Sequence, residues 1–435
     1  MDRVKSKITG EIKISSQRYN DIIEAVKTIA DFGRNITSAL TAQGITSFLE
    51  ISLGGAVNLK ASDIHIETQK EEVIIRIRID GILQEVVSIS FEEYQLVLSR
   101  VKLLAGIKLN IADKSQDGRF SVLIEETPVE IRVSVIPSEY GESIVLRILN
   151  PTGLKEIEQI GLRKDLLEMF KEEVKKPNGM IVVTGPTGSG KTSTLYAFLK
   201  RVQSPEIKII TIEDPIEYHL KGISQTQIAP ERGYDFANGL RSIMRQDPDV
   251  ILVGEIRDLE TAKIALQAAL TGHLVFTTIH ANDAAGTITR FTDLGARAIS
   301  IAPAVNMVIA QRLVRKVCKK CGKLVAPKDK ELREIERELK GISKKIEIPN
   351  FKGLKILKAH GCVLCNNTGY QGRTGIFESF LIDDDVQQLI LSSPSTVDLK
   401  QLVTKKGMLS MRQDGFIKVL EGITSIEEVE RVTKK

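Results

Sequence analysis

The chain has no tryptophan, few aromatics (5% of 435 residues) and only four cysteines. Its longest apolar runs, such as Val250–Val253 and Leu274–Phe276, are far too short to span a bilayer. The amino terminus, MDRVKSKITGEIK, has no apolar stretch of the kind a secretory signal needs, so a cytoplasmic protein is expected. There is no low-complexity tract and no short internal repeat. Charge of one sign is also missing. The formal net charge is +5 against 61 basic and 56 acidic residues, which argues for neither nucleic acid nor an acidic membrane as partner. Apolar residues are nevertheless 42% of the chain, enough for sizeable cores, and the length suggests about two or three domains.

Against this plain background one stretch stands out. Met180–Thr192 reads MIVVTGPTGSGKT, an apolar strand, a glycine-rich turn and the start of a helix. Gly185-x-x-x-x-Gly190-Lys191-Thr192 satisfies the phosphate-binding loop pattern in the context that gives it meaning. Glycines at 185, 188 and 190 let the backbone aim successive N–H groups at an anion, and the helix N-terminus adds partial positive charge. Gly185, Pro186, Thr187, Gly188, Ser189, Gly190, Lys191, Thr192 and Ser193 are therefore expected to cradle a nucleoside triphosphate. Lys191 would reach the β- and γ-phosphates and Thr192 would bind Mg²⁺.

The pattern predicts helices to about Lys60, with Ile22, Ile23, Val26, Ile29 and Phe32 at helical spacing and a second amphipathic stretch at 46–57. Period-two alternation follows at 63–67 and 73–79, with a hairpin signal at Asp80-Gly81. A helix at 91–105, strands at 119–123, 129–135 and 142–148, and a turn at Asp117-Gly118 complete an α+β domain ending near Asn150-Pro151. From there to about Ala326 strands and helices alternate, with strands at 180–184, 207–212, 250–253 and 274–278. This predicts an α/β, doubly wound parallel core with the phosphate loop at a strand's carboxyl end. A charged helix at 328–340 and a mainly helical tail at 383–435 follow. The expected division is 1–55 (short helical segment), 56–150 (α+β) and 151–435 (phosphate-loop domain).

Three motifs are expected to converge on the loop. Asp247–Glu255 ends an apolar strand in Gly254 and an acid, making Glu255 the candidate general base or water-orienting group, against an ordinary helix-starting acid. Thr211–Glu217 runs another strand into Glu213, Asp214 and Glu217, acids expected to face the nucleotide, with Glu213 a second catalytic candidate, against a plain surface turn. His273 and His280 bracket a third strand, with His219 after the acidic turn, either as phosphate contacts or as structural histidines.

Together, GPTGSGKTST, TIEDPIEY, LRSIMRQDPDVILVGEIRD and GHLVFTTIHANDA resemble the secretion-type motor ATPases of type II secretion and type IV pilus assembly. The upstream ASDIHIE, RIRIDG and RVSVIPSEYGESIVLRIL and the tail GMLSMRQDGFIKVLEGITSIEEV resemble the same family, over roughly 56–432. The resemblance implies a RecA-like phosphate-loop core preceded by a PAS-like domain. It also implies Arg132 and Arg147 as arginines that reach a triphosphate, and Arg241, Arg245, Arg257 and Arg373 as further arginine positions. For any single arginine the plain alternative is a surface salt bridge. A cytoplasmic hexameric ring, peripheral to the membrane, would hydrolyse ATP and drive an inner-membrane platform protein that adds pilin or pseudopilin subunits, with no direct nucleic acid partner. Two departures are visible: about 55 residues precede the matching region, too few for a separate membrane-docking domain, and Thr68 stands where the family often has proline.

The cysteines form two pairs, Cys318-x-x-Cys321 and Cys362-x-x-Cys365. Such pairs suit four-thiolate zinc, although the gap of about forty residues between them exceeds that of compact zinc ribbons. A redox pair or unmetallated thiols remain the alternatives. The expected zinc subdomain covers 312–375. The four-cysteine segment is typical of the assembly branch of the family, not of retraction motors. The competing functional reading is a DNA-translocating or DNA-uptake motor on the same core.

Overall fold

A computed structural model describes residues 10–42, 44–342, 346, 351 and 353–434. Residues 1–9 of the expected N-terminal segment, parts of 343–352 in the expected zinc subdomain, and Lys435 of the tail lie outside the described residues. The chain divides into two compact units, 1–153 with 361–369, and 154–360 with 370–435.

The first unit is built on seven strands: β1 (Glu11–Ile14), β2 (Ala61–Thr68), β3 (Val73–Ile79), β4 (Ile82–Ile89), β5 (Gln116–Ile124), β6 (Thr127–Ser138) and β7 (Gly141–Leu149). Their order is β1-β5-β6-β7-β2-β3-β4, antiparallel throughout except for the parallel β1–β5 pair. Helices Ser16–Ala25, Ile29–Ala42, Ile45–Asn58 and Phe91–Ala105 share one core with the sheet, running from Ile12 to Ile148. The segment before residue 55 is thus not wholly helical. Glu11–Ile14 alternates exposed and buried residues and adds a sheet strand. The Asp117-Gly118 turn is also corrected: both residues lie inside β5, and the hairpin turns at Glu125-Glu126, both with positive φ. Gly118 serves close packing, because a Cβ there would come within 2.4 Å of the Ala105 carbonyl oxygen.

The second unit has β8 (Gly179–Thr184), β9 (Ile209–Glu213), β10 (Ser224–Gln227), β11 (Val250–Val253), β12 (Leu274–Ile279), β13 (Val305–Val317), β14 (Lys323–Val325), β15 (Ile356–Lys358) and β16 (Tyr370–Leu381). The main sheet runs β10-β9-β11-β12-β8-β13-β16, parallel except for the β13–β16 pair at one edge; β14 and β15 form a small antiparallel ribbon. Successive β8 residues face opposite sides. Met180 and Val182 join one apolar cluster, while Ile181 and Val183 join the other. Both sheet faces are covered, as a doubly wound α/β fold requires. The helices Asp384–Leu391, Thr396–Lys405, Met411–Leu420 and Ile426–Thr433 make up the tail.

Candidate nucleotide site and cysteine cluster

The loop after β8 is shaped by close approach. Gly185 has φ of +148°, and a Cβ there would lie 2.5 Å from the Gln311 carbonyl oxygen and 2.7 Å from Ser189 Oγ. Gln311, buried on β13, donates from Nε2 to the Ser189 carbonyl at 2.8 Å. Thr184 Oγ1 donates to the Ile279 carbonyl at 2.7 Å and accepts the Ala281 N–H at 2.9 Å, tying the end of β12 to the loop's root. The helix Lys191–Val202 then starts with no side-chain cap, so its first N–H groups, including those of Thr192 and Ser193, are offered toward the loop. Lys191 Nζ donates to the Gly185 and Pro186 carbonyls at 2.9 and 3.2 Å, which holds the ammonium over Gly185–Gly190. Burial pulls the Lys191 pKa down, and the charges of Glu255 and Glu217 push back.

The acids gather where β9, β11 and β12 end. Glu255 follows β11. Its carboxylate accepts from Arg257 and lies 3.3 Å from His280 Nε2. Arg257 also lies 3.4 Å from Asp214 Oδ2. Glu213, 3% exposed, is held differently. Tyr196 donates to its Oε2, and Thr211 Oγ1 and Gln225 Nε2 donate to Oε1 at 2.6 and 3.1 Å. Burial, reinforced by the Glu213 carboxylate, pushes the Tyr196 phenol far above its ordinary range, so it acts as a donor.

Other expected residues lie elsewhere. His273 precedes β12, whose six residues place it about 20 Å from the loop end of the strand. It lies 3.1 Å (Nδ1) from the Ala268 carbonyl, so within the chain only His280 of the two bracketing histidines joins the acids. Arg241 pairs with Glu260 and Asn238, and Arg245 with Ser242 and the Arg241 carbonyl, along the exposed side of helix Phe236–Met244. Arg373 lies on β16 opposite Arg315, and its carbonyl accepts from Lys155 at 3.3 Å. His219 is exposed after the acidic turn.

Arg132 and Arg147 belong to the first sheet and are directly opposed across β6 and β7. They form part of a longer row that sequence reading missed: Arg119, Arg132, Arg147, Asp63 and Arg78 stand opposite one another across β5, β6, β7, β2 and β3. Directly opposed residues share a face. Buried Asp63 takes Arg147 Nε at 3.0 Å on one oxygen and has Arg78 Nε at 3.3 Å from the other. Arg132 Nε donates to Glu130 at 3.3 Å. The alternation of RIRID and RVSV predicts which residues share a face of each strand, but only the register reveals the row.

The four cysteine sulfurs lie within 4.8 Å of one another. Cys362 Sγ and Cys365 Sγ are 3.7 Å apart. Tetrahedral zinc with Zn–S of about 2.3 Å requires sulfurs about 3.8 Å apart. The N–H groups of Cys362 and Gly369 donate to Cys365 Sγ, each at 3.2 Å, as a thiolate favours. His360 Nε2 instead lies 3.2 Å from Lys323 Nζ.

The model for the type II/IV secretion system protein family matches residues 39–431. The chain belongs to that family. The type II secretion system ATPase E of Vibrio cholerae is 46% identical over 396 residues, covering 90% of this chain and 76% of that protein. The type IV pilus assembly ATPase PilB of Thermus thermophilus is 44% identical over 372 residues, covering 85% of this chain but 41% of that longer protein. Among solved structures, the pilus retraction motor PilT with bound ADP superposes with a TM-score of 0.59 at 28% identity, covering 89% of this chain and 97% of that one. The motor-ATPase family expected from the motifs is the family found.

Proposed function

We propose that this chain hydrolyses ATP to drive subunit assembly in a type II secretion or type IV pilus machine. The observation that carries the reading is the contrast between the glutamates at the ends of β9 and β11. Among the described residues, Glu255 meets Arg257 and His280 and its charge acts on Lys191, whereas buried Glu213 takes three donors. A general base needs a lone pair that can face water, and the Glu255 side chain is 16% exposed whereas Glu213 is 3% exposed.

In this reading the backbone from Gly185 to Gly190 and the helix N-terminus hold the phosphates, and Lys191 follows charge onto the β- and γ-oxygens. Thr192 would hold Mg²⁺, which supplies further neutralisation of phosphate charge when bound. Glu255 orients water or takes its proton. His280 fixes the second carboxylate oxygen, and Arg257 with Asp214 and Glu217 completes the acidic rim. Arg132 and Arg147 are assigned to the same phosphates in an assembled ring of six chains, and Arg241, Arg245, His273 and Arg373 are assigned to nucleotide binding in that ring. The α+β portion to about residue 150 and the phosphate-loop portion from 151 to 435 would move against each other during turnover. Cys318, Cys321, Cys362 and Cys365 would hold one structural zinc. No helix among the described residues is long and apolar enough to cross a membrane; we place the motor on the cytoplasmic side, working on a membrane platform protein.

Purified Lys191→Ala protein should lose nucleotide binding. Glu255→Gln should bind ATP with near-unchanged affinity and lose turnover by about 10²–10⁴-fold. Wild-type-like turnover in Glu255→Gln would move the base away from this residue. The same purified protein, prepared without chelator, should carry one zinc per chain.

A further inference from the structure

Glu213 raises a question that hydrolysis by Glu255 leaves open: what is a buried carboxylate held by three donors doing at the end of a catalytic strand? Its three donors come from three elements. Tyr196 belongs to the helix Lys191–Val202, Thr211 to β9 and Gln225 to β10. All three are neutral, so the carboxylate is caged rather than paired with a cation. The Tyr196 ring also meets the Tyr218 ring edge-on, with centroids 6.2 Å apart, so the phenol touches the chain both before and after the acidic turn.

The connections lead outward from that cage to the proposed base. Asp214 follows Glu213 directly and lies against Arg257, and Arg257 grips Glu255. At the other end, the helix that carries Tyr196 begins with Lys191, whose ammonium lies over the glycine loop. A single short helix therefore holds the phosphate-contacting lysine and, about one turn and a half later, the hydroxyl that fixes the acidic turn. Gly254, just before Glu255, donates its N–H to the Ile212 carbonyl at 2.8 Å, so the backbone couples the same two strand ends.

Building on the hydrolysis reading, we infer that Tyr196 is a positioning residue: its hydroxyl, through Glu213, sets the Asp214–Arg257–Glu255 group in register with the phosphate loop. It touches no reacting atom. Its contribution lies in keeping the base and the phosphates on one rigid frame, where misplacement by about 1 Å costs about 100-fold in rate.

The test uses the full chain and the Tyr196→Phe variant, which keeps the ring and its contact with Tyr218 and removes only the hydroxyl. The expected result is a fall in kcat of about 10- to 100-fold, a KM for ATP within about twofold of wild type, and a folded protein that melts only modestly lower, as loss of one donor to a buried carboxylate requires. Thr211→Val, which removes a second donor to Glu213, should act in the same direction and decides the matter if Tyr196→Phe does not fold. Adding Tyr196→Phe to Glu213→Ala should cost little more than Glu213→Ala alone, because the hydroxyl has then lost what it positions. Wild-type kcat in a folded Tyr196→Phe protein, or losses that multiply in the double variant, would overturn the inference. A wild-type chain with no ATP turnover would instead strike the hydrolysis reading itself.

Discussion

The two large sheets carry their chemistry in opposite ways. In the first, strands alternate: β3 reads buried, half-buried, buried, half-buried, and its polar residues look out from a face. In the second, every residue of β8, β9, β11 and β12 is buried, because helices cover both sides. A sheet with one open face can array charges across neighbouring strands, as the row from Arg119 to Arg78 does. A sheet closed on both faces has only its strand ends to offer, and there Gly185, Glu213, Glu255 and His280 all lie. The difference tells where substitutions should act on catalysis and where on stability.

The contrast is broken most severely by attacking the first unit from inside. Lys102, on helix Phe91–Ala105, is almost fully buried, with its Nζ 2.6 Å from Glu142 Oε1 and donating to the Ile111 carbonyl at 2.9 Å. Lys102→Met leaves the Glu142 carboxylate buried without its cation, which should cost about 3–5 kcal/mol in urea unfolding. The double variant Lys102→Met, Glu142→Leu should recover most of that loss. A double variant as unstable as the sum of its singles would show that the pair is not the unit that matters.

The second unit should yield to acid at a defined place. The long β13–β16 pair is fastened to the last helix by Glu428. It accepts the Arg315 N–H at 3.0 Å, the Arg315 guanidinium at 2.5 Å, and Arg431 at 2.8 and 2.9 Å. Despite burial, which by itself raises its pKa, these donors hold the carboxyl down at about 2, against an ordinary 4.5. A depressed folded pKa gives stability that is present above the ordinary value and is lost as pH falls toward the folded one. This contribution is about 3 kcal/mol at neutral pH and should fade between about pH 4.5 and 2. Glu428→Gln should be less stable at neutral pH and should lose that part of the acid slope. An unchanged slope would assign the acid sensitivity elsewhere.

How much of this could be read beforehand follows from the same contrast. Apolar runs such as Ile181–Val183 and the complete phosphate-loop pattern announce a doubly covered strand and its turn without help from the rest of the chain. The edge pair β13 and β16 was harder, because VNMVIAQRLVRKV mixes apolar and basic residues and its strand character comes from pairing with β8 and with the distant Tyr370–Leu381. Glu11–Ile14 becomes a strand only through its parallel partner β5. Asp117-Gly118 carries a turn signal, yet the glycine is required by the approach of Ala105. The two histidines around β12 look equivalent in sequence, but strand length sends them to opposite ends of the sheet. Tyr196 gave no signal at all, since a tyrosine on a buried helix face reads as core until its hydroxyl is seen to find Glu213.

The finest test of the contrast asks whether the open face works with the closed sheet's ends. Arg147 is the natural probe. Its side chain is 61% exposed although Asp63 holds its Nε, so one edge of the guanidinium is oriented and the rest remains free to meet an anion. If it stabilises charge developing on a phosphoryl group, Arg147→Ala should keep fold and nucleotide binding and lose about 10- to 100-fold in kcat, about 1.4–2.7 kcal/mol of transition-state stabilisation. Asp63→Asn should produce a smaller loss of the same kind, because it loosens the guanidinium without removing it. Mixing then separates two geometries. When Arg147→Ala chains are combined with Lys191→Ala chains, an arginine that acts across a subunit boundary restores some contacts that have both an intact Lys191 and an intact Arg147, and activity partly returns. If mixed oligomers form and stay inactive, the arginine serves its own chain's loop. If Arg147→Ala turns over ATP at the wild-type rate, the row on the first sheet has no part in hydrolysis, and its charges must be explained by the sheet alone.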